Sequence, residues 1–204
     1  SSFILWGPPG TGKTTIARII ANQTQAEFFQ INAVSSGVKD IRAVIDIGTR
    51  NKELGKRTIL FIDEIHRFNK AQQDALLHSI ESGVLILIGA TTENPSFEVI
   101  PALRSRARVF VLEELSKQDL VDILKSAIGK DEYLKQLNIK SVDENYLIYL
   151  SGGDARIMLT ILEAAVIQEI SKDEIILTKE IFENIVQRKN ILYDKGGEEH
   201  YNVI

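Results

Sequence analysis

A glycine-rich segment near the start of the chain has the residue types and spacing of a phosphate-binding loop. Residues 7–14, GPPGTGKT, fit the pattern G-x-x-x-x-G-K-[ST]. Glycines here let successive backbone N–H groups turn toward a phosphate, and the N-terminus of the following helix adds partial positive charge. Lys13 could reach the outer phosphates, and the Thr14 hydroxyl could ligate Mg²⁺. The residues predicted to contact the phosphate chain are Gly7, Pro8, Pro9, Gly10, Thr11, Gly12, Lys13, Thr14 and Thr15.

An acidic pair follows the apolar run Thr58–Ile62 and could complete such a site. Acids at the carboxyl end of a buried parallel strand lie at the edge where open α/β sheets bind ligands. Asp63 could hold Mg²⁺, while Glu64 could orient and deprotonate an attacking water. Asn94 follows the next apolar run, and its amide can donate to phosphate and accept from water. These side chains predict a site that hydrolyses a phosphoanhydride.

Several arginines later in the sequence have two possible roles. Arg104, Arg106 and Arg108 stand at alternate positions before the last apolar run. They could form a solvated basic face, or one could reach the nucleotide of a neighbouring subunit as an arginine finger. Arg156 follows Asp154 at the expected start of a helix, where it is either an ordinary exposed arginine or a contact to the nucleotide.

The elements that would position these residues alternate between strands and helices in the first half of the chain. The apolar runs are continuous, which is typical of parallel strands covered on both faces. Segments with helical periodicity separate the first four of these apolar runs. From Ser116 onward, every periodic segment is helical. The expected strands are Phe3–Trp6, Glu27–Asn32, Thr58–Ile62, Leu85–Ala90 and Val109–Leu112.

The composition excludes several classes of protein. The 204 residues contain no Cys, so neither a disulfide scaffold nor a thiolate metal site is possible. No apolar run approaches the ~18 residues of a membrane span. A net charge of −4 argues against coating DNA by bulk charge, although a local basic groove is compatible with it. The first residue is Ser, and no secretory segment follows it, which indicates an intracellular, cytoplasmic protein.

Three longer segments resemble one family of ATPases. They are FIDEIHRFNKAQQDALL (residues 61–77), IGATTENPSFEV (88–99) and YDKGGEEHYN (193–202). In combination with the phosphate loop they resemble the clamp-loader-like branch of AAA+ ATPases. Within that branch the chain is similar to the RarA/MgsA family of replication-associated recombination proteins, which is related to the Werner-helicase-interacting ATPase. The resemblance covers essentially the whole chain.

The resemblance implies an α/β fold with a P-loop AAA+ core, a five-stranded parallel sheet and an all-α lid domain. The core would span residues 1–112, the lid 113–190, and the start of a linker 191–204. An N-terminal segment and a C-terminal oligomerisation domain would be absent from this sequence. ATP would bind between core and lid, with Mg²⁺ on Thr14 and Asp63. Asn94 would act as sensor 1, Arg156 as sensor 2 and Arg106 as the finger.

The resemblance also implies partners and a cellular role. The family acts on DNA at stalled replication forks, associates with single-strand-binding protein and forms homo-oligomers, commonly tetramers. It is cytoplasmic and nucleoid-associated. Arg104 stands where a leucine is more usual, and Ile157 where a second arginine is common. Either Arg104 or Arg106 could therefore be the finger.

Other functions remain compatible with the sequence. A clamp-loader subunit and a Holliday-junction branch-migration motor share parts of the same motifs. A nucleotide-switched scaffold that recruits replication proteins would bind ATP with little turnover. Among single residues, His66 is expected to have a role beside the acids rather than in catalysis. Asn32 could hold Glu64 in an inactive orientation, or could be a turn residue at a strand end.

Overall fold

The computed structural model describes residues 1–187, so the predicted linker (191–204) and the segment 193–202 lie outside the described residues. The chain divides into two compact units, Ser1–Glu114 and a second unit that begins at Leu115. Within the described part, no helix is long and apolar enough to cross a membrane.

A five-stranded parallel sheet forms the centre of the first unit, as the sequence predicts. The strand order is β2-β3-β4-β1-β5, so β1 lies between the last two strands of the sheet. Each strand pairs with its neighbours in parallel register, with Trp6 opposite Thr91 and Asn32 opposite Asp63. The strands are β1 (Ser2–Trp6), β2 (Glu27–Asn32), β3 (Thr58–Asp63), β4 (Ile86–Thr91) and β5 (Ala107–Val111).

Helices connect these strands, and local sequence sets where they begin. Asn69 caps the third helix, because its Oδ1 accepts from the Gln72 N–H at 2.9 Å while Gln72 Oε1 accepts from the Asn69 N–H. Proline at the first position starts each of the two short helices between β4 and β5. The helices are α1 (Lys13–Gln23), α2 (Val38–Glu53), α3 (Lys70–Glu81), α4 (Pro95–Glu98) and α5 (Pro101–Arg104).

Two apolar layers cover the sheet, one on each face. Ile59 and Phe61 of β3 pack in the layer that contains α1, whereas Leu60 and Ile62 pack in the layer that contains α2 and α3. All four side chains are buried. Burial on both faces explains why the central strands β3 and β4 are continuously apolar in sequence, and it makes the sheet a rigid support for residues at its edge. The edge strand β5 is apolar as well, but Val109, Phe110 and Val111 are exposed, unlike the covered strand that its sequence predicts.

The second unit is mainly helical and has its own apolar core. Asp143 and Asp154 cap the helices Glu144–Ser151 and Ala155–Glu169, because the carboxylate of each accepts from at least one backbone N–H group of the first turn. The unit also contains two short parallel strands, β6 and β7, which the prediction of an all-α domain does not include. Its elements are α6 (Lys117–Lys130), β6 (Ile139–Val142), α7 (Glu144–Ser151), α8 (Ala155–Glu169), β7 (Ile175–Leu177) and α9 (179–187).

Candidate functional site

The carboxyl ends of β1, β4 and β3 bring the phosphate loop and the acidic pair to one edge of the sheet. β4 lies between the other two strands, and its last residue, Thr91, is hydrogen bonded to the first residue of the loop. The Gly7 N–H donates to the Thr91 carbonyl at 3.2 Å. The edge predicted from the sequence is thus formed by neighbouring strands.

The phosphate loop curls around the Lys13 side chain. Lys13 Nζ donates to the carbonyls of Gly7 at 2.7 Å and Pro8 at 2.6 Å. Gly10 and Gly12 have φ angles of 73° and 85°, a left-handed conformation that favours glycine. The glycines therefore shape the loop as the sequence predicts, and they lead directly into α1.

The loop has unpaired donors where a phosphate chain would bind. Within residues 1–187, the backbone N–H groups of Gly10, Thr11 and Gly12 donate to no protein atom. Such donors before a helix N-terminus suit an anion. Thr14 in the first turn of α1 and Asp63 at the end of β3 are half-buried and supply the oxygen ligands that Mg²⁺ prefers. The residues present therefore fit a magnesium-bound triphosphate.

Close packing against the backbone of Leu112 requires glycine at position 7, in addition to the requirement of the phosphate-binding motif. A Cβ atom at this position would lie 2.2 Å from the Leu112 carbonyl oxygen. The close approach is fixed because the Leu112 N–H donates to the Trp6 carbonyl at 2.7 Å. The first glycine of the loop thus permits close packing of β1 against the end of β5.

We expect Gly7→Ala to lower the free energy of unfolding by about 1–3 kcal/mol, because backbone atoms of Leu112 must move to admit the methyl group. Gly129→Ala is the control, since a Cβ there meets nothing within 4 Å. Urea unfolding of the two variants measures the difference. Equal stability of both variants would show that the contact at Gly7 is not restrictive.

The acidic turn after β3 holds Glu64 in an uncommon backbone conformation. Its φ and ψ angles are 54° and 47°, in the left-handed region that non-glycine residues seldom adopt. A 3₁₀ turn, Ile65–Arg67, follows directly and is closed by the Arg67 N–H donating to the Glu64 carbonyl at 2.8 Å. Ile65 is fully buried against Gly89 of β4. Packing of Ile65 thereby fixes the turn that presents Glu64.

The Glu64 carboxylate is held at one oxygen by two side chains. Its Oε2 lies 3.2 Å from His66 Nδ1 and accepts from Thr92 Oγ1 at 3.3 Å. His66 Nδ1 also lies 2.9 Å from Thr91 Oγ1. Sequence reasoning placed His66 beside the acids but did not single out Thr92. The position of Thr92 directly after β4 could have indicated that its side chain lies at the same edge of the sheet.

Asn94 lies two residues after Thr92, and its side chain contacts the backbone of a helix. Its Oδ1 accepts from the Ser96 N–H at 2.9 Å and caps α4. Asn32 likewise makes a local turn, since its Oδ1 accepts from the Val34 N–H at 2.8 Å. Neither side chain is hydrogen bonded to Glu64 in the described part of the chain. The Asn94 amide oxygen is therefore engaged in the helix cap.

Arg104, Arg106 and Arg108 have different surroundings. Arg106 forms an ion pair with Glu81 at the end of α3, and its Nη1 donates to the Ala102 carbonyl at 2.7 Å. Arg104 Nη1 donates to the Ser96 carbonyl at 2.7 Å. Arg108 lies exposed on β5. Of the three, Arg106 has a carboxylate partner that fixes the direction of its guanidinium group.

Arg156 lies in the second unit, in the first turn of α8. Its guanidinium group is 3.4 Å from the Asp154 carboxylate, and 75% of its side chain is exposed. Asp154 also caps the helix by accepting from the Arg156 N–H at 2.8 Å. Ile157 beside it is 45% exposed. Arg156 therefore lies on the surface of its unit. This position agrees with both roles considered from the sequence, an ordinary exposed arginine or a contact to the nucleotide.

Comparisons with known proteins agree with this architecture. The profile described as "ATPase family associated with various cellular activities (AAA)" matches residues 3–115, and the profile "AAA C-terminal domain" matches residues 133–204. The structure resembles the RuvB Holliday junction branch migration motor of Thermotoga maritima, with a TM-score of 0.69 and 28% identity. That match covers 91% of this chain and 61% of the other.

Sequence relatives extend over the whole chain. It is 44% identical to replication-associated recombination protein A of Escherichia coli K12 and covers 46% of that protein. It is also 44% identical to ATPase WRNIP1 of Dictyostelium discoideum, of which it covers 25%. The chain thus spans about half the length of the bacterial relative. The resemblance predicted from the motifs is confirmed, and the chain belongs to the AAA family of ATPases, in the group of replication-associated recombination protein A and WRNIP1.

Proposed function

We propose that the chain hydrolyses ATP with Mg²⁺ and uses the energy to remodel DNA at stalled replication forks. The observation that carries the proposal is the held carboxylate of Glu64 at the same sheet edge as the phosphate loop. A protein that only bound nucleotide would need the loop but no oriented acid. The names of the relatives, which refer to replication-associated recombination, support DNA as the substrate.

The proposed mechanism uses the geometry of the loop and the acidic turn. The backbone N–H groups of Gly10, Thr11 and Gly12 and the ammonium group of Lys13 bind the β- and γ-phosphates. Thr14 and Asp63 would hold Mg²⁺, which neutralises charge that builds up on the phosphates. Glu64 accepts a proton from the attacking water, and the Asn94 amide helps to place that water.

Two further arginines complete the proposal. Arg106 stabilises transition-state charge on a nucleotide bound by a neighbouring copy, within a homo-oligomer that is a tetramer by family resemblance. Arg156 senses the nucleotide from the helical unit and couples hydrolysis to rearrangement of DNA or of a partner such as single-strand-binding protein. A DNA substrate also implies a cytoplasmic, nucleoid-associated location.

A branch-migration motor is the second candidate, because solved structures of RuvB resemble the chain over most of its length. A clamp-loader subunit and a nucleotide-switched scaffold are the remaining alternatives from the sequence. The scaffold needs ATP binding without turnover, and the oriented Glu64 argues against it.

Steady-state ATP turnover in the presence of different DNA structures tests the proposal. We expect gapped or forked DNA to raise turnover more than duplex DNA of equal length. Preferential stimulation by four-way junctions would favour the branch-migration motor, and stimulation by a sliding clamp would favour the clamp-loader subunit. ATP binding with no turnover under any of these conditions would favour the scaffold.

A further inference from the structure

His66 is an almost buried histidine that contacts the proposed catalytic acid and the end of β4. Its side chain is only 8% exposed, whereas that of Glu64 is 31% exposed. We propose that His66 is a positioning residue whose Nδ1–H holds the Glu64 carboxylate in the orientation that activates water. This inference rests on the proposed role of Glu64 in hydrolysis.

The hydrogen bonds of Thr91 determine which ring nitrogen of His66 carries the proton. The Thr91 hydroxyl donates its single proton to the Glu93 carbonyl at 3.1 Å and accepts from the Glu93 N–H at 3.0 Å. With its proton on the Glu93 carbonyl, the hydroxyl accepts at the 2.9 Å contact, and His66 Nδ1 is then the donor. A protonated Nδ1 also suits the carboxylate oxygen of Glu64 at 3.2 Å, where an unprotonated nitrogen would be repelled.

Thr91 connects this arrangement to the phosphate loop. Its side chain is fully buried and meets His66, while its carbonyl accepts the N–H of Gly7. Thr91 is therefore fixed by the sheet and by both of its neighbours in the site. Through His66, the position of the Glu64 carboxylate is set relative to the loop that binds the phosphates.

Without His66, the remaining contact would leave the carboxylate poorly oriented. Thr92 Oγ1 donates to the same oxygen at 3.3 Å, near the upper limit for a hydrogen bond between oxygen atoms. Glu64 is partly exposed, so its side chain could turn toward solvent. Both contacts engage Oε2, which leaves Oε1 to accept the proton of water. Loss of His66 should therefore lower kcat without altering the phosphate loop.

Amide replacements test which ring nitrogen matters. In His66→Asn the amide nitrogen can occupy the position of Nδ1, whereas in His66→Gln it extends toward the position of Nε2. His66→Leu has no donor. We expect His66→Gln and His66→Leu to lower kcat about 10-fold or more, the effect of losing one polar contact to a charged group, with the Kd for ATP unchanged. His66→Asn should keep most of the turnover.

Two comparisons make the result decisive. Turnover in His66→Asn as low as in His66→Leu, or no loss in His66→Gln, would overturn the inference. If the leucine variant does not fold, the asparagine and glutamine variants still decide, because both retain a polar side chain and their melting temperatures can be compared directly.

Glu64→Gln, measured in parallel, separates this inference from the proposed function. Normal turnover in Glu64→Gln would remove Glu64 from its role, and the proposed mechanism would fail. Greatly reduced turnover in Glu64→Gln together with normal turnover in His66→Leu would refute only the positioning role. Adding His66→Leu to Glu64→Gln should cause no further loss, because the group that His66 positions is already inactive.

Discussion

Replacing Glu64 with glutamine is expected to lower ATP turnover by about 10²–10⁴-fold, the usual contribution of a general base, and to leave ATP binding unchanged. The amide oxygen of glutamine can take the place of Oε2, which accepts from Thr92 and lies 3.2 Å from His66 Nδ1. The NH₂ group then replaces Oε1, the oxygen available to water. The variant therefore keeps the local structure and loses the ability to accept a proton.

Glu93→Gln provides the matched control for this experiment. Glu93 is exposed, and only its backbone takes part in the hydrogen bonds to Thr91. The two substitutions remove the same charge a short distance apart in the site. We expect equilibrium binding of ATP to be equal in both variants and in the unchanged protein, and kcat to fall only in Glu64→Gln. A similar kcat in both variants would mean that Glu64 is not the base.

Arg106→Ala is expected to lower turnover of the assembled protein by about 10³-fold or more, as the loss of an arginine finger does. The guanidinium group would no longer stabilise charge on the nucleotide of the neighbouring copy. The variant should fold normally, because the ion pair with Glu81 is partly exposed and such pairs contribute little to stability.

Mixing two inactive variants tests whether Arg106 acts on a neighbour. An assembly of Arg106→Ala and Glu64→Gln chains contains some sites with an intact Glu64 from one chain and an intact Arg106 from the next. We expect turnover to reappear when the two variants are mixed. In the protein without substitutions, turnover per chain should rise with protein concentration. Loss of turnover in Arg104→Ala but not in Arg106→Ala would assign the finger to Arg104.

The main features of the fold could be predicted from the sequence because they depend on local patterns. Continuous apolar runs predicted all five strands of the sheet. The strand order could not be predicted, because it depends on which strands pair across long loops. The strands β6 and β7 were missed for a similar reason, since each is only three or four residues long and is stabilised by a distant partner.

The candidate site shows the same division between local and distant contacts. The phosphate loop and the acidic pair could be recognised from residue type and spacing. The need for Gly7 and the contact of Thr92 with Glu64 depend on residues far apart in sequence, Leu112 in the first case and the acidic turn in the second. The ion pair of Arg106 with Glu81 is likewise invisible to spacing rules, because it joins the end of α3 to the start of β5.

The position of β1 in the sheet has a consequence for the timing of folding. β1 is synthesised before the other four strands of the sheet, yet it pairs only with β4 and β5, and the Ser2 hydroxyl accepts from the N–H of Leu87, 85 residues later. Contacts between such distant residues form slowly, and in a growing chain they cannot form until both strands have left the ribosome. The nascent chain should therefore be unable to bind nucleotide until residues beyond Leu112 have emerged.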